Sequence, residues 1–355
     1  MFQRSRSVVG LDIGSSAVKV VELKPAGKGF RVKAFGTEPI PPDSIVDGAI
    51  IDGAAVADAI RRLFEQQKIK TKEVAVSLSG NAVIIKKIPV ASMSERELAD
   101  AIAWEAEQYI PFDIQDVNLD YQVVSGGDGA AAVPGSGMDV LLVAAKKEKI
   151  ADYTGVIAQA GRQPVIVDVD AFALQNAYEA NYGVEAGAVV VLLNVGASAI
   201  NINVISGDQS LFTRDISIGG NAYTEALQKE LHLSQEQAEA LKRGTSVDGI
   251  DFDQARPVLR AVTENVLLEI QKTFDFFRGT TGVEHIDRIV LSGGGVHTEG
   301  FAEMLAERFE APVEPFDPFK ANTLDAQEFG VASAAEVAST AAVAVGLALR
   351  KVGDR

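Results

Sequence analysis

A chain of 355 residues with 47% apolar side chains is long for one core and rich enough to fill two, which excludes global disorder. The net charge of −16, with no Lys/Arg stripe, excludes a nucleic-acid surface, and the lack of cysteine excludes disulfides, thiol catalysis and Cys-ligated metal. His232, His285 and His297 fall in separate predicted elements, without metal-ligand spacing.

In chain order, Met1 to Ser7 leads straight into a strand with no signal-peptide pattern. The β-branched Val8-Val9 then opens Leu11-Asp12-Ile13-Gly14-Ser15-Ser16-Ala17-Val18-Lys19-Val20, read as strand, tight turn, strand. Glycine in such a turn lets a backbone approach a bulky group, and successive N–H groups form a concavity for anions. A third strand is predicted near 30–38, and Pro39 to Pro42 is an extended break. From Gly53 to Gln67, Val56, Ala59, Ile60, Leu63 and Phe64 share one helical face, and Glu73 to Leu78 reads as a strand. Three strands, helix, strand is the opening of a ribonuclease-H-like half.

The next segment departs from that order. A strand, Val83 to Ile88, ends at Pro89; Ser94 then caps a helix to about Tyr109, with Glu97 completing a capping box. Strands at 117–124 and 139–145 flank a Gly/Ala/Ser-rich loop, 125–137, expected to be mobile, and a helix spans 147–160. Residues 82–163 therefore read as a subdomain inserted into a first domain, 1–182. That domain resumes with a strand, 164–169, and a helix, 170–182, capped by Asp170. Gly183 to Gly187 is the hinge candidate.

The hairpin then recurs. Leu193-Asn194-Val195-Gly196-Ala197-Ser198-Ala199-Ile200-Asn201-Ile202 aligns with the first copy without a gap. A second domain, 186–330, is expected to hold strands at 188–194, 199–206 and 210–216 and helices at 220–231 and 234–243. A long helix, 258–278, a strand at 288–291, a helix near 299–309 and a short strand near 312–315 complete it. The Ala-rich segment 331–349 carries Glu336 and lacks a Leu/Ile centre, so it reads as a buried helix and not a membrane span, with 331–355 returning to the first domain.

Two anion-cradling turns, one per half, fit a polyphosphate held between domains: Gly14, Ser15 and Ser16 on one side, Gly196, Ala197 and Ser198 on the other. Asp12 and Asn194 suit a magnesium ion, which takes oxygen ligands and keeps its waters, and Lys19 suits a phosphate as a point charge. A third glycine-rich turn, Ser292 with Gly293, Gly294 and Gly295, is the expected seat of adenine and ribose. Asp168 either orients water towards a terminal phosphate or shares the helix cap with Asp170. Glu239 and Lys242, three apart on one helix face, are either site residues or a solvated ion pair.

At these residues the chain resembles the actin-like ATPase superfamily. Asp12 to Lys19 resembles its first phosphate motif, Asn194 to Ser198 its second, Leu291 to Val296 its adenosine motif and Asp168 to Leu174 its first connecting helix. The resemblance implies an α/β fold of two ribonuclease-H-like domains with an FtsA-type inserted subdomain, ATP and Mg2+ as cofactors, and Glu239 and Lys242 beside the adenosine. Ile102 to Phe112, Asp120-Tyr121, Leu142 to Lys146 and Val345 to Arg350 are similar to the PilM family of type IV pilus machines. That likeness implies a cytoplasmic adaptor of the inner-membrane platform, holding the N-terminal cytoplasmic tail of the membrane protein PilN in a groove beside the insert, with self-association left open. The same fold also carries filament-forming division proteins such as FtsA, and small-molecule kinases. FtsA resembles a chain ending in an amphipathic membrane helix, whereas here only Lys351 to Arg355 follow the last helix. One departure stands out: Asn194 occupies the usual Asp of the second phosphate motif, so ATP binding with at most slow hydrolysis is expected.

Overall fold

The computed structural model describes residues 8–27, 29–125, 137–247, 249–321 and 334–354. The Gly/Ala/Ser loop expected to be mobile falls almost wholly outside them, as does the expected start of the last helix at 331–333. The chain divides into two compact units, residues 1–80 with 156–355 and residues 81–155.

The chain opens with β1 (Val9–Ile13), β2 (Ala17–Ala26) and β3 (Gly29–Pro39), each antiparallel to the next. A short hairpin, β4 (Ile45–Val46) with β5 (Ala49–Ile50), leads to α1 (Gly53–Gln66) and β6 (Glu73–Leu78). Asp52 caps α1 through its side chain, and the predicted apolar face is the buried one. The smaller unit contributes β7 (Val83–Ala91), α2 (Glu95–Glu107), β8 (Val117–Ser125), β9 (Gly137–Lys146) and most of α3 (Lys147–Gln159). The first half closes with β10 (Gln163–Val169) and α4 (Asp170–Tyr182).

The second half repeats the plan with β11 (Val189–Val195), β12 (Ile200–Ser206) and β13 (Gln209–Ile216), then α5 (Gly220–Leu231), α6 (Gln235–Lys242) and α7 (Phe252–Thr281). It ends with β14 (Arg288–Ser292), α8 (Phe301–Phe309), β15 (Val313–Pro315) and α9 (Ala334–Leu349). The two five-stranded sheets have equivalent orders, β10-β6-β1-β2-β3 and β13-β12-β11-β14-β15. In each, a three-strand antiparallel meander is extended by two parallel strands.

Helices α4 and α9 join the sheets. Leu174, Ala177 and Tyr178 share one apolar cluster with Ala341, Ala344 and Val345 of α9, Val21 and Leu23 of the first sheet, and Val190 and Leu192 of the second. Small residues are required there because backbones nearly touch. A Cβ on Gly10 would lie 2.0 Å from the Ala344 carbonyl oxygen, and one on Gly346 only 1.7 Å from that of Ala173. The Ala-rich composition of α9 is thus a packing requirement, and among the described residues no helix is long and apolar enough to cross a membrane.

In the smaller unit, Leu98, Ile102 and Ala106 of α2 pack on Ile88, Val90, Val140, Leu142 and Ala144 of the sheet β7-β9-β8. Ser94 and Glu97 form the expected capping box. Three expectations are corrected. Strand β7 continues through Pro89 to Ala91, because it is an edge strand and needs no donor on its outer side. Asp170 does not cap α4; Val169 holds the cap position without a side-chain bond, and Asp170 lies in the first turn. Helix α7 starts at Phe252 under an Asp251 cap, with Pro257 inside it; Asp253, whose carbonyl Pro257 leaves unpaired, is exposed to water.

Candidate functional site

The hairpin β1–β2 closes with the Gly14 N–H donating to Ala17 O at 3.1 Å, and β11–β12 with Gly196 donating to Ala199 O at 2.9 Å. A Cβ at either glycine would press on the same carbonyl oxygen, at 3.2 Å and 2.8 Å respectively. The two turns meet: Ser198 Oγ donates to Ser15 Oγ at 2.8 Å. The second turn sits on the start of α5, where Gly220 and Asn221 N–H groups donate to Gly196 O and Ala197 O at 2.9 Å and 2.8 Å. Gly219 allows that seat, since its Cβ would lie 2.5 Å from Gly196 O.

The polar side chains behind the turns are wired differently. Asp12 lies opposite Lys19 in the hairpin register and pairs with its ammonium at 2.8 Å. In the second copy the same two positions hold amides, and Asn194 Nδ2 donates to Asn201 Oδ1 at 2.9 Å. Asn201 Nδ2 donates in turn to Asp215 Oδ1 on β13 at 2.8 Å, and the other oxygen of Asp215 accepts from the Gly80 N–H of the first half at 2.5 Å. Ser77 Oγ donates to Asp170 Oδ1 at 2.5 Å. Burial, the Asp12 charge and, more weakly, Asp215 push the Asp170 carboxyl up to about 6, against the opposing pull of the Ser77 and Ser79 hydroxyls.

The third glycine turn adjoins the second. Gly293 has a φ of 92°, and its Cβ would lie 2.3 Å from Val195 O, one residue beyond Asn194. Its N–H donates to Ser339 O of α9 at 2.6 Å, and His297 Nε2 meets Ser339 Oγ at 2.8 Å. Ser292 Oγ donates to Asn194 Oδ1 at 3.4 Å. Gly295 packs against Val195, whereas a Cβ on Gly294 would meet only Thr340, at 3.9 Å.

Glu239 and Lys242 are not a solvated pair. Lys242 is buried on α6 and donates to Glu239 Oε1 at 2.6 Å, Thr224 Oγ1 at 3.0 Å and Gly220 O at 3.2 Å. Burial pushes the Lys242 ammonium down, with Glu239 opposing. Burial also works to raise Glu239, but its bonds from Lys242 and Thr224 outweigh that and hold it low. The pair therefore braces the start of α5, on which the second turn rests.

Asp168 has other partners. Its carboxylate pairs with Arg350, just past α9, at 3.5 Å, and accepts from the Val169 N–H. The carboxylate that shares the surroundings of Asp12 and Asp215 is Asp170, two residues on. Sequence reasoning also missed Ser77, Gly80, Asn201, Asp215 and Thr224. The repeat itself carried the signal for one of them, because Asn201 aligns with Lys19. Among the described residues no group of three or more His, Cys, Asp or Glu is placed to hold a metal, so a magnesium ion would take most ligands from phosphate and water.

A family model described as type IV pilus assembly protein PilM matches residues 10–352. A solved PilM-PilN type IV pilus biogenesis complex is similar at 31% identity and a TM-score of 0.86, covering 99% of this chain and 100% of that one. MreB5 of Spiroplasma citri bound to AMPPNP is similar at 14% identity and a TM-score of 0.51, covering 97% and 95%, which speaks to the fold alone. Among curated proteins, the cell division protein FtsA of Streptococcus pneumoniae is 23% identical over 353 residues, covering 87% of this chain and 75% of that protein.

Proposed function

The chain belongs to the type IV pilus assembly protein PilM family, and on that premise we propose that it is an ATP-binding adaptor of the pilus assembly platform. The observation that carries the nucleotide reading is the meeting of two equivalent glycine turns at Ser15 and Ser198. Each turn is made of small residues, Gly14, Ser15 and Ser16 in one and Gly196, Ala197 and Ser198 in the other, which suits the close approach of phosphate oxygens to backbone N–H groups. In this reading the phosphates replace the Ser15–Ser198 hydrogen bond with one from each hydroxyl. Gly14, Ser15, Ser16 and Lys19 hold them from the first half, and Gly196, Ala197 and Ser198 from the second. Gly293, Gly294 and Gly295 border the nucleoside in this reading, as do Glu239 and Lys242 on α6.

Magnesium would neutralise phosphate charge and order water; Asp12 and Asn194 are the residues that would face it. The water-orienting part assigned to Asp168 from sequence passes in this proposal to Asp170, whose carboxyl lies beside Asp12. A carboxyl raised to about 6 is mostly ionised at neutral pH and a better base than an ordinary carboxylate, so the slow hydrolysis expected here rests on the amide at 194.

The partner reading is supported by the solved relative, whose complex contains PilN. We propose that this chain takes the short cytoplasmic tail of PilN, that the groove is bordered by the insert 82–163, and that the chain reaches the inner membrane through that partner. Nucleotide bound between residues 1–182 and 186–330 sets the angle between the halves and so biases the tail's affinity. The test is titration of a PilN N-terminal peptide against the protein with and without Mg-ATP. A several-fold change in Kd is expected, and an affinity indifferent to nucleotide would sink the adaptor mechanism.

A further inference from the structure

The two hairpins occupy the same register, yet their charges sit on different strands. In the first half the sequence across β1, β2 and β3 is Asp12, Lys19, Thr37. In the second half the equivalent positions on β11, β12 and β13 are Asn194, Asn201, Asp215. The negative charge has moved from the first strand of the meander to the third, and two amides connect the old position to the new one.

Those amides have a forced polarity. Asp215 receives two donors, Asn201 Nδ2 at 2.8 Å and the backbone N–H of Gly80 at 2.5 Å. A carboxylate accepts both; an amide in its place can accept from only one without turning its own NH2 against the other. Because Asn201 gives its NH2 to Asp215, it presents Oδ1 to Asn194. Asn194 must then donate its NH2 to Asn201, as it does at 2.9 Å, which turns its own Oδ1 to the other side, where Ser292 Oγ approaches to 3.4 Å. Which atom of an amide is oxygen is set by such networks, and here the network is anchored on a backbone N–H that cannot reverse.

We propose that Asp215 is a positioning residue that acts through this relay. It fixes Asn194 with its oxygen, not its NH2, directed away from Asn201 and available to the magnesium-facing side of the nucleotide site, and it fastens the second half to Gly80 of the first. The amide at 194 thereby keeps the acceptor that the position needs, while its charge resides at 215. The metal-facing part rests on the nucleotide reading above; the relay itself does not.

Such a relay makes the carboxylate exchangeable. Asn194→Asp alone sets a carboxylate against Asn201 Oδ1. Asp215→Asn alone keeps both of its bonds only if the relay reverses: Asn201 turns over, and Asn194 then directs its NH2, not its oxygen, away from Asn201. In the double variant Asn194→Asp/Asp215→Asn, Asn201 turns over and donates to residue 194, and the amide at 215 donates to Asn201 Oδ1 while accepting from Gly80. Every bond is restored, and the two side-chain bonds of the relay reverse direction.

The experiment compares wild type, both single variants and the double variant. The readouts are thermal unfolding without nucleotide and affinity for a fluorescent ATP analogue, in magnesium and in EDTA. Asn194→Asp should lower Tm by about 2–5 °C, the scale of one unmet buried hydrogen bond, Asp215→Asn should lower it less, and the double variant should recover most of the Asn194→Asp loss. Asp215→Asn should weaken binding about tenfold in magnesium and leave it nearly unchanged in EDTA. Additive Tm losses in the double variant, or wild-type affinity for Asp215→Asn in magnesium, would overturn the proposal. A wild type that binds no nucleotide would remove the nucleotide reading, and the thermal cycle would then still decide the relay.

Discussion

The two halves share a scaffold and differ in how they place charge. Both build a sheet from an antiparallel meander and two parallel strands, and both present a glycine turn at the end of the first hairpin. Behind the first turn an ion pair, Asp12–Lys19, closes on itself within one hairpin. Behind the second, amides carry the polarity out to Asp215 and across to Gly80. Duplication fixed the geometry that both halves need, and left the electrostatics free to diverge. One half holds its charge locally, and the other uses it to hold its neighbour.

Breaking the shared scaffold has the largest expected effect. Gly346→Ala puts a Cβ 1.7 Å from the Ala173 carbonyl, at the α4–α9 seam on which both sheets pack, and no flexible side chain is available to yield. A loss of about 3 kcal/mol or more is expected, read as a collapse of the thermal transition. A near-native Tm would mean that the seam can open without cost.

Next comes the carboxyl where the two charge patterns meet. Asp170 titrates at about 6 when folded, against an ordinary value of 3.8, so between those pH values the folded chain keeps a proton that the unfolded chain has released. Stability from this group therefore falls as pH rises through that window and stays low above it, by roughly 2–3 kcal/mol. Asp170→Asn should raise Tm near neutral pH and flatten the pH dependence between about 4 and 6. A variant that is less stable than wild type at neutral pH would contradict this electrostatic account.

The turns themselves sharpen the comparison. Gly196→Ala meets the Ala199 carbonyl at 2.8 Å, whereas Gly14→Ala meets that of Ala17 at 3.2 Å. The second-half variant should lose about 1–3 kcal/mol and the first-half variant less than about 1, by denaturant unfolding. Equal losses would erase the distinction. The smallest effect belongs to the insert, which has no counterpart in the second half. Trp104 is exposed on α2, and Trp104→Ala should change stability by less than about 0.5 kcal/mol. As the chain's single tryptophan, its emission should shift when a PilN tail peptide binds if the groove lies beside α2. An unmoved spectrum at saturation would place the groove elsewhere.

Much of this was legible in the residues. The paired turns, the capping box at Ser94 and the buried face of α1 follow from local chemistry that tertiary contacts did not override. Pro89 misled because its missing donor falls on the open side of an edge strand, and Pro257 because the Asp253 carbonyl it leaves unpaired is exposed to water. The Asp168-Val169-Asp170 run could not be resolved from sequence, since one carboxylate goes to Arg350 and the other to Ser77, and both partners are far away in the chain. Asp215 was hidden for the same reason. Its meaning depends on a register across β12 and β13 and on Gly80, 135 residues earlier.

The central claim is that both turns serve one nucleotide. Equilibrium titration of a fluorescent ATP analogue against wild type and Gly14→Val, with stoichiometry determined, tests it most directly. The account predicts one nucleotide per chain and a loss of at least about tenfold in affinity for the variant, although the second turn is intact. Two nucleotides per chain, or equal affinity for the two proteins, would contradict it.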